Sequence, residues 1–239
     1  MASSSKRFMK LAGMTASIAG KAAKNSLKSF SVDENKRAEA RSQMLQDVGV
    51  QIAETLGEMK GAVMKVGQIA SQYKEVFPPE VAAALEKLQN NAPPMPYSQI
   101  KSQVERELGL PIEEAYLEFE EQPFAAASIG QVHKAVLPSG QAVVVKVQYP
   151  DVDKNCDSDL KQVRMALKMT GVLSMGKELQ DQIFNEIRDS LKDELDYIKE
   201  AQNLAIFGAF HADDPGLIIP KVIKSHSTKR ILTLTEELG

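Results

Sequence analysis

The clearest alternation of apolar and polar residues lies in the middle of the chain. Three valines fall on one face of an extended strand, whereas Val144, Lys146 and Gln148 fall on the other. These valines are Val143, Val145 and Val147. Ile129 to Leu137 is a second strand-like run, and Pro138-Ser139-Gly140 separates the two. Since proline presets φ and glycine tolerates positive φ, the stretch predicts a β-hairpin.

Helical periodicity dominates the sequence on both sides of this hairpin. Apolar residues recur at three- and four-residue steps across Glu34–Val76, which predicts a long helical region. A shorter helix is predicted over Gln99–Leu108, with Ser98 as its amino-terminal cap and Gly109 as its carboxyl-terminal cap. Two long helices are predicted after the hairpin, over Asp151–Met175 and Glu178–Phe210.

Three further short runs have the composition of strands: Leu117–Phe119, Leu217–Lys224 and Arg230–Thr235. The predicted fold class is therefore α+β, with a helical N-terminal extension followed by an antiparallel sheet with long helices. We expect a basic segment over residues 1–33, the helical extension over 34–116 and the β-rich lobe over 117–239.

Composition narrows the classes of function. The net charge of −3 argues against a nucleic-acid-binding protein, and a single cysteine excludes a disulfide within the chain. The three histidines show no metal-ligand spacing, and no apolar run reaches the length of about 18 residues that a membrane span needs. Met1–Phe30 carries six basic residues and no acidic one. This segment is equally consistent with an amphipathic helix on an anionic membrane, a helix packed on the protein, or a frayed tail.

Lys146 is the most informative single residue, because it interrupts a strand of valines. A lone lysine in that position is usually an edge residue whose stem covers the core while its ammonium group reaches water. Here a small-residue loop, a hairpin and the sequence Val-Val-Val-Lys follow one another. That order is typical of the nucleotide-binding lobe of a protein kinase, where the strand lysine contacts phosphates and pairs with a helix glutamate.

Four motifs in order resemble the UbiB (AarF/ABC1-type) family of atypical kinases linked to ubiquinone biosynthesis. They are a K-x-G-Q motif at Lys65-Val66-Gly67-Gln68, an alanine-rich loop at Ala125–Val132, Val145-Lys146, and an E-x-D motif at Glu194-Leu195-Asp196 followed by Glu200. Each motif alone is weak, but the four together are specific. The resemblance extends from about Ser42 to the end of the chain.

The resemblance implies a kinase-like small lobe and a set of site residues. The implied nucleotide-binding residues are Ala125, Ala126, Ala127, Ser128, Ile129, Gly130, Lys146, Glu200, Glu236 and Leu238. The implied regulatory residues at the cleft are Lys65, Gly67, Gln68, Glu194 and Asp196. Glu200 is expected to pair with Lys146, and Glu194 with Lys65. Because Glu194 and Glu200 are six positions apart in one predicted helix, they are not expected on the same edge.

In ordinary kinases the phosphate loop is rich in glycine, whereas here it is mostly alanine. The resemblance implies that these methyl groups change nucleotide preference and suppress ordinary protein phosphorylation, with Ala127 as the principal residue. No D-F-G sequence or H-R-D-like loop occurs in the chain. We therefore expect the catalytic aspartate and the Mg²⁺ ligands in a C-terminal lobe absent from this chain, which alone should not turn over ATP.

Three hypotheses remain from the sequence: the nucleotide-binding half of a UbiB-type kinase or ATPase, a non-catalytic module that binds a lipid or a protein, and a structural helical adaptor. The expected ligand is ATP or ADP, with Mg²⁺ only when the second lobe is present. The expected partners are a membrane lipid, ubiquinone-pathway proteins and a second copy contacting the helical extension, with no nucleic acid. The expected location is cytoplasmic, at the inner membrane surface.

Overall fold

A computed structural model describes residues 94–169 and 176–237, together with a few scattered positions between residues 13 and 83. The chain divides into two compact units, Met1–Ala92 with Asn155–Asp189, and Pro93–Lys154 with Ser190–Gly239. The predicted helical region Glu34–Val76 and the basic segment over residues 1–33 lie almost wholly outside the described residues. The predicted boundary at Leu117 remains a prediction.

The second unit begins with helix α1, Tyr97–Leu108, and the single turn α2, Ile112–Ala115. Helix α1 starts directly after Pro96, so the prediction that Ser98 caps it is wrong. Its predicted carboxyl-terminal cap is confirmed, because Gly109 adopts φ 75° and donates its amide to the Glu105 carbonyl. The left-handed conformation costs glycine little.

Five strands form one antiparallel sheet: β1 (Glu118–Phe119), β2 (Ala125–Ala127), β3 (Gly130–Val136), β4 (Ala142–Gln148) and β5 (Ile231–Thr235). Their order in the sheet is β1–β3–β4–β5, with β2 paired to β3 beside β1. The predicted hairpin is confirmed: β3 pairs with β4 from Gly130 opposite Gln148 to Val136 opposite Ala142. Gly140 turns the chain with φ 85° and donates its amide to the Leu137 carbonyl.

Alternation along β4 places the core on one face of the sheet. Val143, Val145 and Val147 are fully buried there, and the apolar face of α1 contributes Ile100 and Val104 to the same cluster. Burying such side chains contributes about 1.5–3 kcal/mol each to folding. The core therefore holds β4 rigidly, so that its opposite face is a fixed platform for other side chains.

One helix predicted over Glu178–Phe210 is in fact two helices. Helix α3 spans Val152–Met169, α4 spans Lys177–Glu194 and α5 spans Tyr197–Phe210. The chain leaves helical geometry at Asp196, whose carboxylate Oδ1 accepts the amides of Ile198 at 3.1 Å and Lys199 at 3.2 Å. Aspartate is a favoured cap because it satisfies amides that have no partner within the helix. Periodicity continues across the break, which is why the sequence conceals it.

The prediction of a strand over Leu217–Lys224 is also wrong. This segment makes only an isolated bridge between Val222 and Leu234, and a 3₁₀ turn follows at Lys224–His226. Two backbone hydrogen bonds still connect this segment to β5: the Ile223 amide donates to the Thr233 carbonyl, and the Thr235 amide donates to the Lys221 carbonyl. The segment therefore pairs with β5 over too few residues to form a strand.

In the first unit, the described residues of α3 and α4 have buried apolar stripes that include Val163, Leu167, Ile183 and Ile187. Arg164 of α3 pairs with Asp181 of α4 and lies over the Phe184 ring. No helix within the described part of the chain is both long and apolar enough to span a membrane.

His133 is a fully buried titratable residue of β3. Its Nδ1 lies 2.8 Å from the Glu120 carbonyl, and its Nε2 lies 3.0 Å from Nε2 of Gln131, the side-chain amide nitrogen. Because the Gln131 nitrogen can only donate, His133 is neutral, with its proton on Nδ1. Burial lowers the pKa of His133 below its ordinary value of 6.5, against opposing effects of the Glu120 carbonyl and carboxylate.

We therefore expect acidification to destabilise the fold through His133. Since its pKa is lower in the folded state, the unfolded chain binds the extra proton first, and stability falls as pH drops below about 6.5. Denaturant unfolding of the wild type and of His133→Gln between pH 5 and 7.5 measures this contribution. The variant should lose part of the pH dependence, and equal pH dependence in the two proteins would contradict a buried neutral imidazole.

Candidate functional site

Lys146 projects from the face of β4 opposite the buried valines. Its ammonium Nζ lies 2.7 Å from Oε1 and 2.9 Å from Oε2 of Glu200 on α5, so the carboxylate binds it with both oxygens. The same nitrogen lies 4.7 Å from the centroid of the Tyr197 ring, within the range of a cation–π contact. The predicted pairing of Lys146 with Glu200 is thus present in the structure.

The break between α4 and α5 determines which way the acidic side chains point. Glu194 is the last residue of α4, and Glu200 lies in the first turn of α5. In a continuous helix, residues six apart lie on different edges. Because the chain turns at Leu195-Asp196, both carboxylates instead line the same cleft, which corrects the expectation that they would not share an edge.

The alanine-rich segment is the strand of a second, tight hairpin rather than an open loop. Ala125–Ala127 pairs with Val132–Gly130, and the chain turns at Ser128 and Ile129. The Ser128 hydroxyl donates to Oε2 of Glu194 at 2.5 Å, and the Ile129 carbonyl accepts the amide of Tyr149 at 2.9 Å. The turn is therefore attached both to α4 and to the end of β4.

These elements enclose a cleft of about 600 Å³, which we call the lysine cleft. It is lined by Ala127, Ser128, Ile129, Lys146, Ser190, Asp193, Glu194, Lys199, Glu200 and Asn203. In the described part of the lining, three carboxylates face two ammonium groups, which gives it an excess of negative charge. Lys199 is itself paired with Asp193 at 2.6 Å, and that hydrogen bond raises the pKa of Lys199.

Tyr197, whose ring lies beside the Lys146 ammonium group, is buried. Burial raises the pKa of Tyr197 above its usual range, and the nearby Glu200 and Glu194 carboxylates act in the same direction. Burial also raises the pKa of Tyr149 to about 12. Both phenols are neutral at physiological pH, so the Lys146 ammonium group is not paired with a phenolate. An anionic ligand entering the cleft would meet this ammonium and the backbone of the Ser128–Ile129 turn.

Six of the predicted site residues come together in the lysine cleft: Ala127, Ser128, Ile129, Lys146, Glu194 and Glu200. Ala125 and Ala126 lie on the exposed part of β2 and are not part of its lining. Lys65, Gly67, Gln68 and Leu238 lie outside the described residues, so the predicted pairing of Lys65 with Glu194 remains a prediction.

Three other predicted residues have evident structural roles. A Cβ on Gly130 would lie 2.2 Å from the backbone oxygen of Val147, so only glycine allows the two strands to approach there. Asp196 caps α5, as described above. The Glu236 carboxylate accepts a hydrogen bond from Lys134 at 2.5 Å, its amide donates to the Ala142 carbonyl, and the residue is not part of the cleft lining.

Four lining residues were absent from the prediction: Ser190, Asp193, Lys199 and Asn203. Asn203 lies three positions after Glu200 and Lys199 lies four positions before Asn203, so helix geometry would have identified Asn203 from Glu200 and Lys199 from Asn203. Ser190 and Asp193 precede the break by less than two turns, and their position depends on the break itself. Across the described ranges, no three Asp, Glu, His or Cys side chains converge in an arrangement suited to a metal ion.

A second cavity of about 650 Å³, the α5 groove, runs between α5 and the segment Ile219–Thr228. Its lining is mostly apolar and includes Ile198, Leu204, Ala205, Gly208, Ile219 and Val222. Near it α5 exposes further large apolar side chains, among them Ile206 and Phe210, which is 84% exposed. A helix with this much exposed apolar surface is suited to contact an apolar ligand or partner.

Comparison with known proteins agrees with this geometry. The ABC1 atypical kinase-like domain matches residues 87–236. The chain is 40% identical over 201 residues to the mitochondrial atypical kinase COQ8 of Saccharomyces cerevisiae, covering 83% of this chain and 40% of that protein. It is 38% identical over 183 residues to the mitochondrial atypical kinase coq-8 of Caenorhabditis elegans, covering 76% and 24%.

A solved structure is also similar, that of the Rv3197–erythromycin complex from Mycobacterium tuberculosis. It is 33% identical, gives a TM-score of 0.50, and the match covers 85% of this chain and 51% of that one. The chain spans half or less of the length of the two curated relatives named above. The matched domain and these identities show that the chain belongs to the ABC1 (UbiB/COQ8-type) atypical kinase family.

Proposed function

We propose that this chain is the nucleotide-binding half of a UbiB-type atypical kinase or ATPase that supports ubiquinone biosynthesis. The observation that carries the proposal is the two-oxygen ion pair between Lys146 and Glu200 at the base of the lysine cleft. In kinase-like lobes this pair holds the strand lysine in reach of nucleotide phosphates. Family membership supports the same assignment.

In this proposal each side of the cleft has a separate role. Lys146 contacts the phosphates of ATP or ADP, and Glu200 holds the lysine in place. The backbone of Ala127, Ser128 and Ile129 covers the phosphates, and the Ala127 methyl group limits how closely they approach. Glu236 and Leu238 follow the last strand, where the adenine would be bound.

Metal binding and catalysis belong elsewhere in this proposal. The lysine cleft has an excess of carboxylates but no converging set of three metal ligands among the described residues. We therefore assign the catalytic aspartate and the Mg²⁺ ligands to a second lobe outside this chain. Mg²⁺ would supply positive charge to the phosphates, while Lys146 orients them from the sheet side.

An ion pair of this kind also has a purely structural interpretation. Lys146 is 27% exposed and Glu200 is 40% exposed, and pairs with this much solvent contact contribute about 0–1 kcal/mol to stability. A structural role therefore predicts a small loss of stability from substitution and no effect on ligands. A nucleotide-binding role predicts that substitution of Lys146 weakens nucleotide binding strongly, whatever its effect on stability.

We expect ATP and ADP to raise the melting temperature of the wild-type chain and not that of Lys146→Ala. The substitution removes the positive group at the base of the cleft, and Glu200→Gln should weaken the shift by releasing the lysine. Thermal unfolding with and without nucleotide and Mg²⁺ measures this effect. Lys101→Ala is the matched control, because Lys101 pairs with Glu113 on α1 and α2, and its nucleotide shift should match the wild type.

Equal nucleotide shifts in the wild type and Lys146→Ala would contradict the proposed site. The absence of a shift in the wild type would contradict nucleotide binding by this chain, and with it the proposed function.

We also expect no Mg²⁺-dependent ATP hydrolysis by the purified chain, since this proposal assigns the catalytic aspartate and the Mg²⁺ ligands to a second lobe. Phosphate release assayed over hours with and without Mg²⁺ tests this expectation. Hydrolysis that persists through purification and disappears in Lys146→Ala would overturn the assignment of catalysis to a second lobe.

A second candidate function is that of a non-catalytic module that binds a lipid, another apolar ligand or a protein. The α5 groove favours it, because the groove is large, mostly apolar and open. The similar Mycobacterium tuberculosis protein was solved in complex with erythromycin. Association with a membrane surface, with ubiquinone-pathway proteins, or with a second copy through the helical extension belongs to the same set of proposals.

If the groove binds apolar ligands, saturation-transfer NMR with erythromycin as the probe should give a signal with the wild-type chain. Ala205→Phe, which fills the groove, should reduce the signal. Ala209→Phe places the same side chain one helical turn further along α5, outside the lining, and should leave the signal unchanged. Equal signals from the two variants would remove the α5 groove as the binding site.

A further inference from the structure

Gln148 is a polar residue of β4 with no solvent exposure. It lies two positions after Lys146, and therefore on the same face of the strand. Its side-chain amide nitrogen donates to the Leu195 carbonyl at 3.0 Å and to the Lys229 carbonyl at 3.3 Å. Burying an amide is costly unless it is hydrogen-bonded, so these two bonds are what permit a glutamine here.

The two bonds end at the break between α4 and α5. Leu195 directly follows α4, and its carbonyl belongs to the helix end, where backbone oxygens have no helical partner. Lys229 precedes β5, and its carbonyl also accepts the amide of Tyr197, the first residue of α5, at 3.1 Å. One side chain thus joins the end of one helix, the start of the next and the edge of the sheet.

The orientation of the amide is fixed by its partners. Both contacted atoms are carbonyl oxygens, so only the NH₂ group can face them, and a flipped amide would direct Oε1 at two acceptors. Oε1 is buried and has no hydrogen-bond partner among the residues that the structure describes. The backbone amide of Gln148 donates to the Arg230 carbonyl at 3.1 Å, which anchors the same residue to β5.

The acidic residues of the lysine cleft lie on either side of this attachment. Glu194 immediately precedes Leu195, and Glu200 lies in the turn that begins at Tyr197. A displacement of the break would move both carboxylates relative to Lys146. A misplacement of about 1 Å at a reactive site can reduce function by roughly 100-fold.

We propose that Gln148 is a positioning residue that sets the distance between Lys146 and Glu200 by fixing the α4–α5 break to the sheet. Strand β4 then carries both the cation and the amide that places its carboxylate partner. The inference rests on the proposed function insofar as the pair serves nucleotide binding. Its geometric part, the control of the ion pair by Gln148, holds independently of the ligand.

The first measurement is nucleotide affinity by isothermal calorimetry on the wild type, Gln148→Met and Val104→Ala. Methionine keeps the approximate shape but removes both donors, and we expect the Kd to rise at least about tenfold. Val104 is fully buried in the core between α1 and the sheet, so Val104→Ala lowers stability without touching the break. Its Kd should remain that of the wild type.

The second measurement needs no nucleotide. A double-mutant cycle with Lys146→Ala and Glu200→Gln gives the coupling between the two side chains from unfolding free energies. We expect coupling in the wild type and none in the Gln148→Met background. If Gln148→Met does not fold, Gln148→Asn replaces it, because asparagine keeps the amide but is too short to reach both carbonyls.

The positioning role is overturned if Gln148→Met binds nucleotide with the Kd of the wild type. It is also overturned if Val104→Ala loses as much nucleotide affinity as Gln148→Met. Zero coupling in the wild type, or equal coupling in both backgrounds, also overturns it. If the wild-type chain binds no nucleotide, the proposed function fails and the coupling alone decides. Coupling lost in Gln148→Met then supports the positioning role, whereas coupling retained rejects it.

Discussion

The alternation of β4 is the constraint on which the rest of the described structure depends. One face of the strand is committed to the core by three fully buried valines, so the opposite face cannot rotate or slip without exposing them. That face carries Lys146 and Gln148, whose partners lie on α5 and at its start. Hydrophobic burial thereby fixes the geometry of a polar site that contributes little to stability itself.

The break at Leu195-Asp196 turns this strand geometry into a cleft. A continuous helix would have placed Glu194 and Glu200 on different edges, whereas the capped break brings both to the same cavity. The turn at Ser128 forms the other side of the cleft, where the Ser128 hydroxyl donates a hydrogen bond to Glu194. Three local features, each encoded by a few residues, therefore combine into one site, and none of them forms it alone.

The sequence predicts those parts of the fold whose physics is local. The hairpin, β5, the cap at Gly109 and the pairing of Lys146 with Glu200 follow from alternation, turn residues and family motifs. The helix break was missed because the apolar stripe continues through it, and because an aspartate cap resembles the surface acids around it. The roles of Gly130 and Gln148 depend on contacts between segments distant in the chain, which periodicity cannot reveal.

The balance of charge in the lysine cleft has a kinetic consequence. Clefts that capture anions quickly do so because a surplus of positive charge attracts the ligand from solution. Among the described lining residues, carboxylates outnumber ammonium groups, and both of these lysines are already paired. The field of these described side chains therefore opposes a free nucleotide, and added salt should speed its arrival by screening that field, the reverse of an electrostatically steered encounter.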